Sequence, residues 1–299
     1  MDYICALRSI FRDDSQSNLF NTSMKVKDCH IKKIFFYAVL LLMSLLQMQC
    51  KSYELQVVTS DNNNNECFEP TLIVDSCIVE HQYEGKKSKT LLRIEITGDN
   101  QSVPQWAFAI VPSLVEVKLS PKIQTIEDNA FFSCKQLVKI NLHDIDMVGE
   151  NSFKNSALEE VDLSQAKIIK EFAFANCTAL RNVVLFNKLE TIGDFAFSGD
   201  TSLPSCYIPA GNIGDGAFMG CSKLAEIKFG KVISIGNAAF LDCKSLSHVV
   251  IPSTIKSVGS DAFAGCTNLK DVIINSRDTQ IAKNAFEKDV VITYKTDNQ

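Results

Sequence analysis

From residue 101 onward the apolar positions follow one recurring phrase that changes period partway through. In IGDGAFMGCSKLAEIKF (213–229), Ala217, Cys221 and Leu224 fall at i, i+4 and i+7, which predicts a short helical turn with one apolar face. Asp215 stands where an N-cap would accept from free backbone N–H groups. After Leu224 the period becomes two. Ile227 and Phe229 alternate with Glu226 and Lys228, which predicts a short strand with one buried side. The same strand tail recurs at Leu114-Val117-Leu119, Leu137-Ile140-Leu142, Leu180-Val183-Leu185, Leu246-Val249-Ile251 and Leu269-Val272-Ile274. A second extended piece precedes each turn, as at Ile123–Ile126, Leu189–Ile192, Val232–Ile235 and Ile255–Val258. One unit is therefore strand, turn, short strand, helical turn.

The units repeat. Phe108, Phe131, Phe153, Phe174, Phe197, Phe218, Phe240, Phe263 and Phe286 are separated by 23, 22, 21, 23, 21, 22, 23 and 23 residues. That is about nine repeats of 21–23 residues, a period in the leucine-rich-repeat range. No unit of this size can bury its apolar face alone. Neighbours must stack, aligning the Phe, Leu and Ile columns into one core.

The phrases IGDGAFMGCSKLAEIKF (213–229), IGNAAFLDCKSLSHVVIPST (235–254) and VGSDAFAGCTNLKDVII (258–274) resemble the BspA-type leucine-rich repeat. The resemblance covers about residues 104–294. It implies a right-handed solenoid with a parallel sheet along one face. It also implies surface-exposed proteins of host-associated bacteria and some protists, often linked to adhesion. The copy at 148–163 is one residue short and lacks the Cys, and Asp200 replaces the Cys of its own copy. The last copy breaks down after Glu287, and Val290–Tyr294 reads as a closing strand.

The chain divides into residues 1–50, a targeting segment; 51–100, an N-terminal cap or small β region; and 101–299, the repeats with their closing strand. Ile34 to Met48 is uncharged and nearly all apolar, and Lys25, Lys27, Lys32 and Lys33 precede it. This describes a secretory signal, short for a spanning helix. Retention as an uncleaved anchor is the alternative, and Met24 is an alternative start. Cys50 directly follows the apolar run, where the acylated Cys of a lipoprotein would stand, although Met48 and Gln49 are not the small residues usual before it. These features lead to an expected location outside the cell or on its surface, with lipid anchoring to an outer membrane as one form of it. In 51–100, strands are expected near Tyr53–Thr59, Leu72–Tyr83 and Leu91–Ile96, and an exported chain allows a Cys67–Cys77 disulfide.

Composition narrows the chemistry. A net charge of −5 gives no reason to expect a nucleic-acid partner. Cys134, Cys177, Cys221, Cys243 and Cys266 share one repeat phase and read as small buried hydrophobes, since no C-x-x-C occurs. The column Asp128, Glu150, Glu171, Asp194, Asp215, Asn237, Ser260, Lys283 drifts away from carboxylates, as helix capping allows and a calcium ladder does not. No phosphate loop, nucleophile elbow or metalloprotease motif is present, so neither catalysis nor a cofactor or metal is expected.

Outward strand positions remain as the candidate site. One column runs Lys118, Asn141, Asp162, Val184, Tyr207, Lys228, Val250, Ile273; its neighbour runs Glu116, Lys139, Glu160, Asn182, Ser205, Glu226, His248, Asp271. Val184, Tyr207, Val250 and Ile273 form an apolar stripe among polar groups, and Lys228 and His248 flank it. The alternative is ordinary β-propensity on an exposed face. The expected function is a non-enzymatic, monomeric interaction protein binding a protein ligand through this face. A carbohydrate-binding accessory protein, which would show a row of outward aromatics, and a structural envelope component are the alternatives.

Overall fold

The computed structural model describes residues 56–58, 71–74, 77–84, 89–96 and 100–295, with side chains at 95–96 and 100–295. The segment 1–50, Cys50 and Cys67 lie outside these residues. No helix among the described residues is long and apolar enough to cross a membrane.

Four strands lead in: β1 (Gln56–Val58), β2 (Thr71–Val74), β3 (Cys77–Glu84) and β4 (Lys89–Ile96). They pair antiparallel in that order. Sixteen more follow in chain order: β5 (Ser102–Val103), β6 (Leu114–Leu119), β7 (Thr125–Ile126), β8 (Lys139–Ile140), β9 (Met147–Val148), β10 (Glu160–Leu163), β11 (Ile168–Ile169) and β12 (Asn182–Leu185), then β13 (Thr191–Ile192), β14 (Ser205–Ile213), β15 (Glu226–Ile235), β16 (His248–Ile251), β17 (Ser257–Val258), β18 (Asp271–Ile274), β19 (Gln280–Ile281) and β20 (Val291–Tyr294). From β5 onward every pairing is parallel and joins strands one coil apart. The repeats are thus a parallel-strand β-solenoid of about 9 turns.

Two faces result. Strands β6, β8, β10, β12, β16, β18 and β20, with the first halves of β14 and β15, form one face. Strands β5, β7, β9, β11, β13, β17 and β19, each of two residues, with the second halves of β14 and β15, form a continuous nine-stranded sheet on the other. The first face falls into separate ladders: β4–β6–β8, β10–β12, β14–β15 and β16–β18–β20. The edge of β6 is taken by β4, with Arg93 opposite Glu116 and Glu95 opposite Lys118.

Between the faces the core is stacked in columns. Phe131, Phe153, Phe174, Phe197, Phe218, Phe240 and Phe263 are all fully buried. From Phe108 to Phe286 each ring lies 5.0–5.3 Å from the next and within 10° of parallel. That spacing follows the coil repeat, close to the 4.7–4.9 Å between hydrogen-bonded strands.

The predicted helical turns are not helices; the described repeats contain none. An α-helix with side chains is about 10 Å across and cannot stack at the 5.0–5.3 Å ring spacing seen here. The chain makes consecutive tight turns instead. Residues two before and two after each Phe from Phe108 to Phe263 adopt positive φ, as at Asn129 (60°) and Ser133 (56°) around Phe131, or Gly216 (60°) and Gly220 (74°) around Phe218. Backbone donors then alternate. Asn129, Phe131 and Ser133 donate to Glu150, Ser152 and Lys154 of the next coil at 2.7–2.8 Å, while Ala130, Phe132 and Cys134 donate three residues back within their own coil. Ala217, Cys221 and Leu224 are buried together as the helical spacing required, but on turns.

The capping column changes meaning accordingly. Asp128, Asp194, Asp215 and Asn237 do accept backbone N–H bonds through Oδ1, but from Glu150, Asp215, Asn237 and Ser260 of the following coil, at 2.7–2.9 Å. These side chains tie coils together; they do not cap helices.

Candidate functional site

The stripe residues sit on three different ladders. Val184 lies on β12 opposite Asp162, Tyr207 on β14 opposite Lys228 of β15, and Val250 on β16 opposite Ile273 of β18. Tyr207 (51%) and Val250 (38%) are exposed, whereas Val184 and Ile273 are half-buried. The two columns read from sequence are in register wherever a ladder pairs them, including Ser205 with Glu226 and His248 with Asp271.

The strongest part of the stripe is around Tyr207. A Cβ on Gly230 would stand 2.3 Å from the Pro209 carbonyl oxygen and 2.8 Å from the Tyr207 hydroxyl, so a side chain there would crowd both. Phe186, just past the end of β12 and one coil earlier, is 57% exposed. The equivalent corner positions carry Ser120, His143, Ser164, Pro209, Gly230 and Pro252. Phe186 breaks that column of small, polar or rigid residues. This signal was present in the sequence but lies one step outside the alternating strand positions. Val184, Phe186 and Tyr207 therefore place an apolar patch on two successive coils, bordered by exposed Asn182, Ser205 and Glu226.

Lys228 and His248 do not join the patch as free cations. Lys228 Nζ is 2.7 Å from Glu226 of its own strand. His248 pairs through Nδ1 with Asp271 across the ladder. Both pairs are well exposed, where ion pairs contribute about 0–1 kcal/mol. They shape a polar rim.

The second histidine–aspartate pair, at His143, resembles catalytic chemistry more closely. His143 Nδ1 is 3.1 Å from Asp162 Oδ2 and 2.9 Å from Ser164 Oγ. An acyl-transfer triad holds Ser and Asp on opposite ring nitrogens. Here both share one nitrogen, and Ser164 is buried and donates its N–H to Asp162 Oδ1. Burial raises the Asp162 pKa, but the bonds from Ser164 and His143 outweigh it and hold the carboxyl below its usual range. The trio braces a coil corner. A polar depression beside it is lined by Gln124, Asp146, Gln165, Lys167 and Lys188. Lys167 is paired with Asp146 at 2.7 Å, and Lys188 donates to the neutral amide oxygen of Gln165.

The cysteine column is closed to chemistry. Cys134, Cys177, Cys221, Cys243 and Cys266 are buried free thiols. Each Sγ donates to a Phe carbonyl one coil back at 3.0–3.2 Å. Burial pushes the Cys134 and Cys266 thiols up to about 12 and the other three well above the usual value. None is a thiolate at neutral pH, so none is a nucleophile or ready metal ligand. Among the described residues no cluster of His, Cys, Asp and Glu could hold a metal.

No curated protein matches the chain. Among solved structures, a leucine-rich repeat protein from Bacteroides ovatus shares 18% identity, covering 75% of this chain and 71% of that one, with a TM-score of 0.45. A leucine rich cell surface protein from Faecalibacterium prausnitzii shares 18% identity over 75% of this chain and 94% of its own (TM-score 0.29). The pneumococcal vaccine antigen PcpA shares 14% identity over 76% and 94% (TM-score 0.28). The family model of the BspA type leucine rich repeat region, in 6 copies, matches residues 101–212 and 200–296. The chain belongs to the BspA-type leucine-rich-repeat family.

Proposed function

We propose that this chain is a cell-surface or secreted interaction protein that binds a protein ligand through the strand face centred on Tyr207, with adhesion as its biological role. The observation that carries this reading is the pair of aromatic side chains on two successive coils, Phe186 (57% exposed) and Tyr207 (51% exposed), with Val184 half-buried on the strand of the first coil. An exposed aromatic on a rigid sheet, ringed by polar groups, is the usual anchor of a protein interface. The reading extends the family's solenoid architecture to a use: the columns fix the backbone, and the outward positions are free to vary. The apolar run 34–48 followed by Cys50 supports export, with lipid attachment as the proposed anchoring.

The test is an array of extracellular-matrix proteins beside an array of glycans, probed with the full chain and its Tyr207→Ala variant. We expect a protein ligand whose affinity falls at least about tenfold on Tyr207→Ala, as for a central interface aromatic, with an unchanged unfolding temperature. Binding to glycans alone would replace this reading by a carbohydrate-binding one. A protein ligand bound equally by the variant would remove the patch.

A further inference from the structure

The strand face that carries Phe186 and Tyr207 is broken between them. β12 pairs with β10, and the first half of β14 pairs with β15, but β12 and β14 share no ladder. The same coil junction is bonded elsewhere. On the turn edge Phe172, Phe174 and Asn176 donate to Asp194, Ala196 and Ser198 at 2.7–2.9 Å, and on the second sheet Thr191 and Ile192 pair with Asn212 and Ile213. The junction is closed on two sides and carries no backbone ladder on the third.

Two residues set this seam apart from the breaks between β8 and β10 and between β15 and β16. The first is Pro204. At the equivalent position Val138, Arg181, Ala225 and Lys270 donate their N–H to the residue one coil back at 2.8–3.2 Å. Pro204 has no N–H to give to Arg181, whereas Glu159 and Ser247 keep a donor at the other two breaks. The second is Asp200, wholly buried in the cysteine column of the same coil. A column Cys donates its Sγ hydrogen to a Phe carbonyl one coil back, as Cys177 and Cys221 do. An ionised Asp200 has no hydrogen to donate. Its Oδ1 accepts the Cys177 N–H across the junction, and its Oδ2 is buried without a partner. The titratable groups packed around it are the thiols of Cys177 and Cys221, on the coils before and after, with Cys206 next to Cys221. A thiol carries no positive charge, so none of these offsets a carboxylate.

We infer that the seam between β12 and β14 is a pH-sensitive hinge: ionisation of Asp200 draws its carboxylate toward water and parts the strand face at Pro204, while the turn edge and the second sheet stay closed. Opening moves Tyr207 away from Phe186. Resting on the reading of that patch as the binding surface, the hinge makes binding strongest in acid and weaker as pH rises. The direction follows from linkage. Buried, the carboxyl holds its proton to higher pH than in the open state, where it is released near 3.8. Opening is therefore opposed while the group is protonated. It gains up to about tenfold per pH unit from 3.8 to the folded value, and levels off above that.

Cys206, buried on β14 at the seam, reports the opening. The full chain is alkylated with iodoacetamide from about pH 5 to pH 8, and the modified cysteines are mapped by mass spectrometry. The reading is the rate at Cys206 divided by the rate at Cys134, which lies beside the paired β6 and β8. Burial pushes both thiols up to about 12, so the ratio cancels the ordinary gain of thiolate with pH. In the wild type the ratio is expected to rise about tenfold or more over this range. It should stay flat in Asp200→Asn, which keeps an acceptor for Cys177 without the charge, and in Asp200→Cys, which restores the column residue. Pro204→Ala returns the N–H and should lower the ratio about threefold or more at every pH while keeping its slope. A flat wild-type ratio, or a slope that persists in either Asp200 variant, overturns the inference. So does a Pro204→Ala ratio equal to that of the wild type. No ligand enters this measurement, so the hinge and the binding role of Tyr207 fail separately.

Discussion

At the scale of single residues, the core is a set of identical columns, and departures within a column carry specific costs. Phe218 is fully buried between the rings of Phe197 and Phe240. Phe218→Ala should cost about 3–5 kcal/mol through the cavity and the loss of both stacking partners, read by chemical denaturation. Asp200 replaces the column cysteine and is wholly buried, with Oδ1 accepting the N–H of Cys177 and Oδ2 unpartnered. Burial drives its carboxyl far above the usual range, which the single bond from Cys177 does not offset. The unfolded chain releases this proton near pH 3.8 and the folded chain only at higher pH. The penalty is therefore absent below pH 3.8, grows as pH rises and persists above the folded value. Asp200→Cys should stabilise the protein by about 1–3 kcal/mol at neutral pH. Its advantage over wild type should shrink as the solution is acidified toward pH 4. An advantage that does not change with pH would mean that Asp200 does not titrate in this way.

At the scale of elements, the linkage between coils is what the sequence made visible without its direction. Acids and amides at one repeat position are readily seen as N–H acceptors. Local spacing alone suggests a cap within the same coil, because no linear pattern states which donor lies 5 Å above. Asp215 takes the N–H of Asn237 on Oδ1 and its amide on Oδ2. Asp215→Ala should cost about 1 kcal/mol, the usual loss for a deleted backbone-capping side chain. Asp215→Asn should cost less, since Asn237 makes the same bond to Ser260. Equal losses for Ala and Asn would show that the inter-coil bond contributes little. The strand halves of each coil were legible to within a residue or two, as at β12 (Asn182–Leu185) and β18 (Asp271–Ile274). The helical turns were not. Burial at i, i+4 and i+7 is met equally by a helix and by a run of tight turns with positive φ. Phe172, Phe195 and Trp106 hold such φ values, which their residue types do not advertise.

At the scale of the whole solenoid, each coil meets mainly its neighbours, the Lys170–Asp128 pair reaching across two coils, so stability should behave approximately as a sum of coil and interface contributions. Excising Gly236–Val258, one full coil of 23 residues, rejoins Ile235 to Gly259 and renews the Ile-Gly junction. Phe218 would then stack on Phe263, and Asp215 would bond Ser260. The shortened chain should keep its strand content by circular dichroism and unfold at a lower temperature. Loss of structure would show that the coils are not interchangeable. The candidate face belongs to this scale as well. Its columns come from stacking, and Tyr207 is the most exposed of the stripe residues.

The sequence by itself determined the period, the side chains of each core column and the two columns that face outward, because burial in a stacked array imposes the same choice at every twenty-second residue or so. Tertiary structure decided the rest. Coil spacing near 5 Å excluded helices, sent the capping bonds to the next coil and set Phe186 on the coil before Tyr207. Each of these depends on what lies one coil away, a distance along the chain at which local periodicity carries no information about direction.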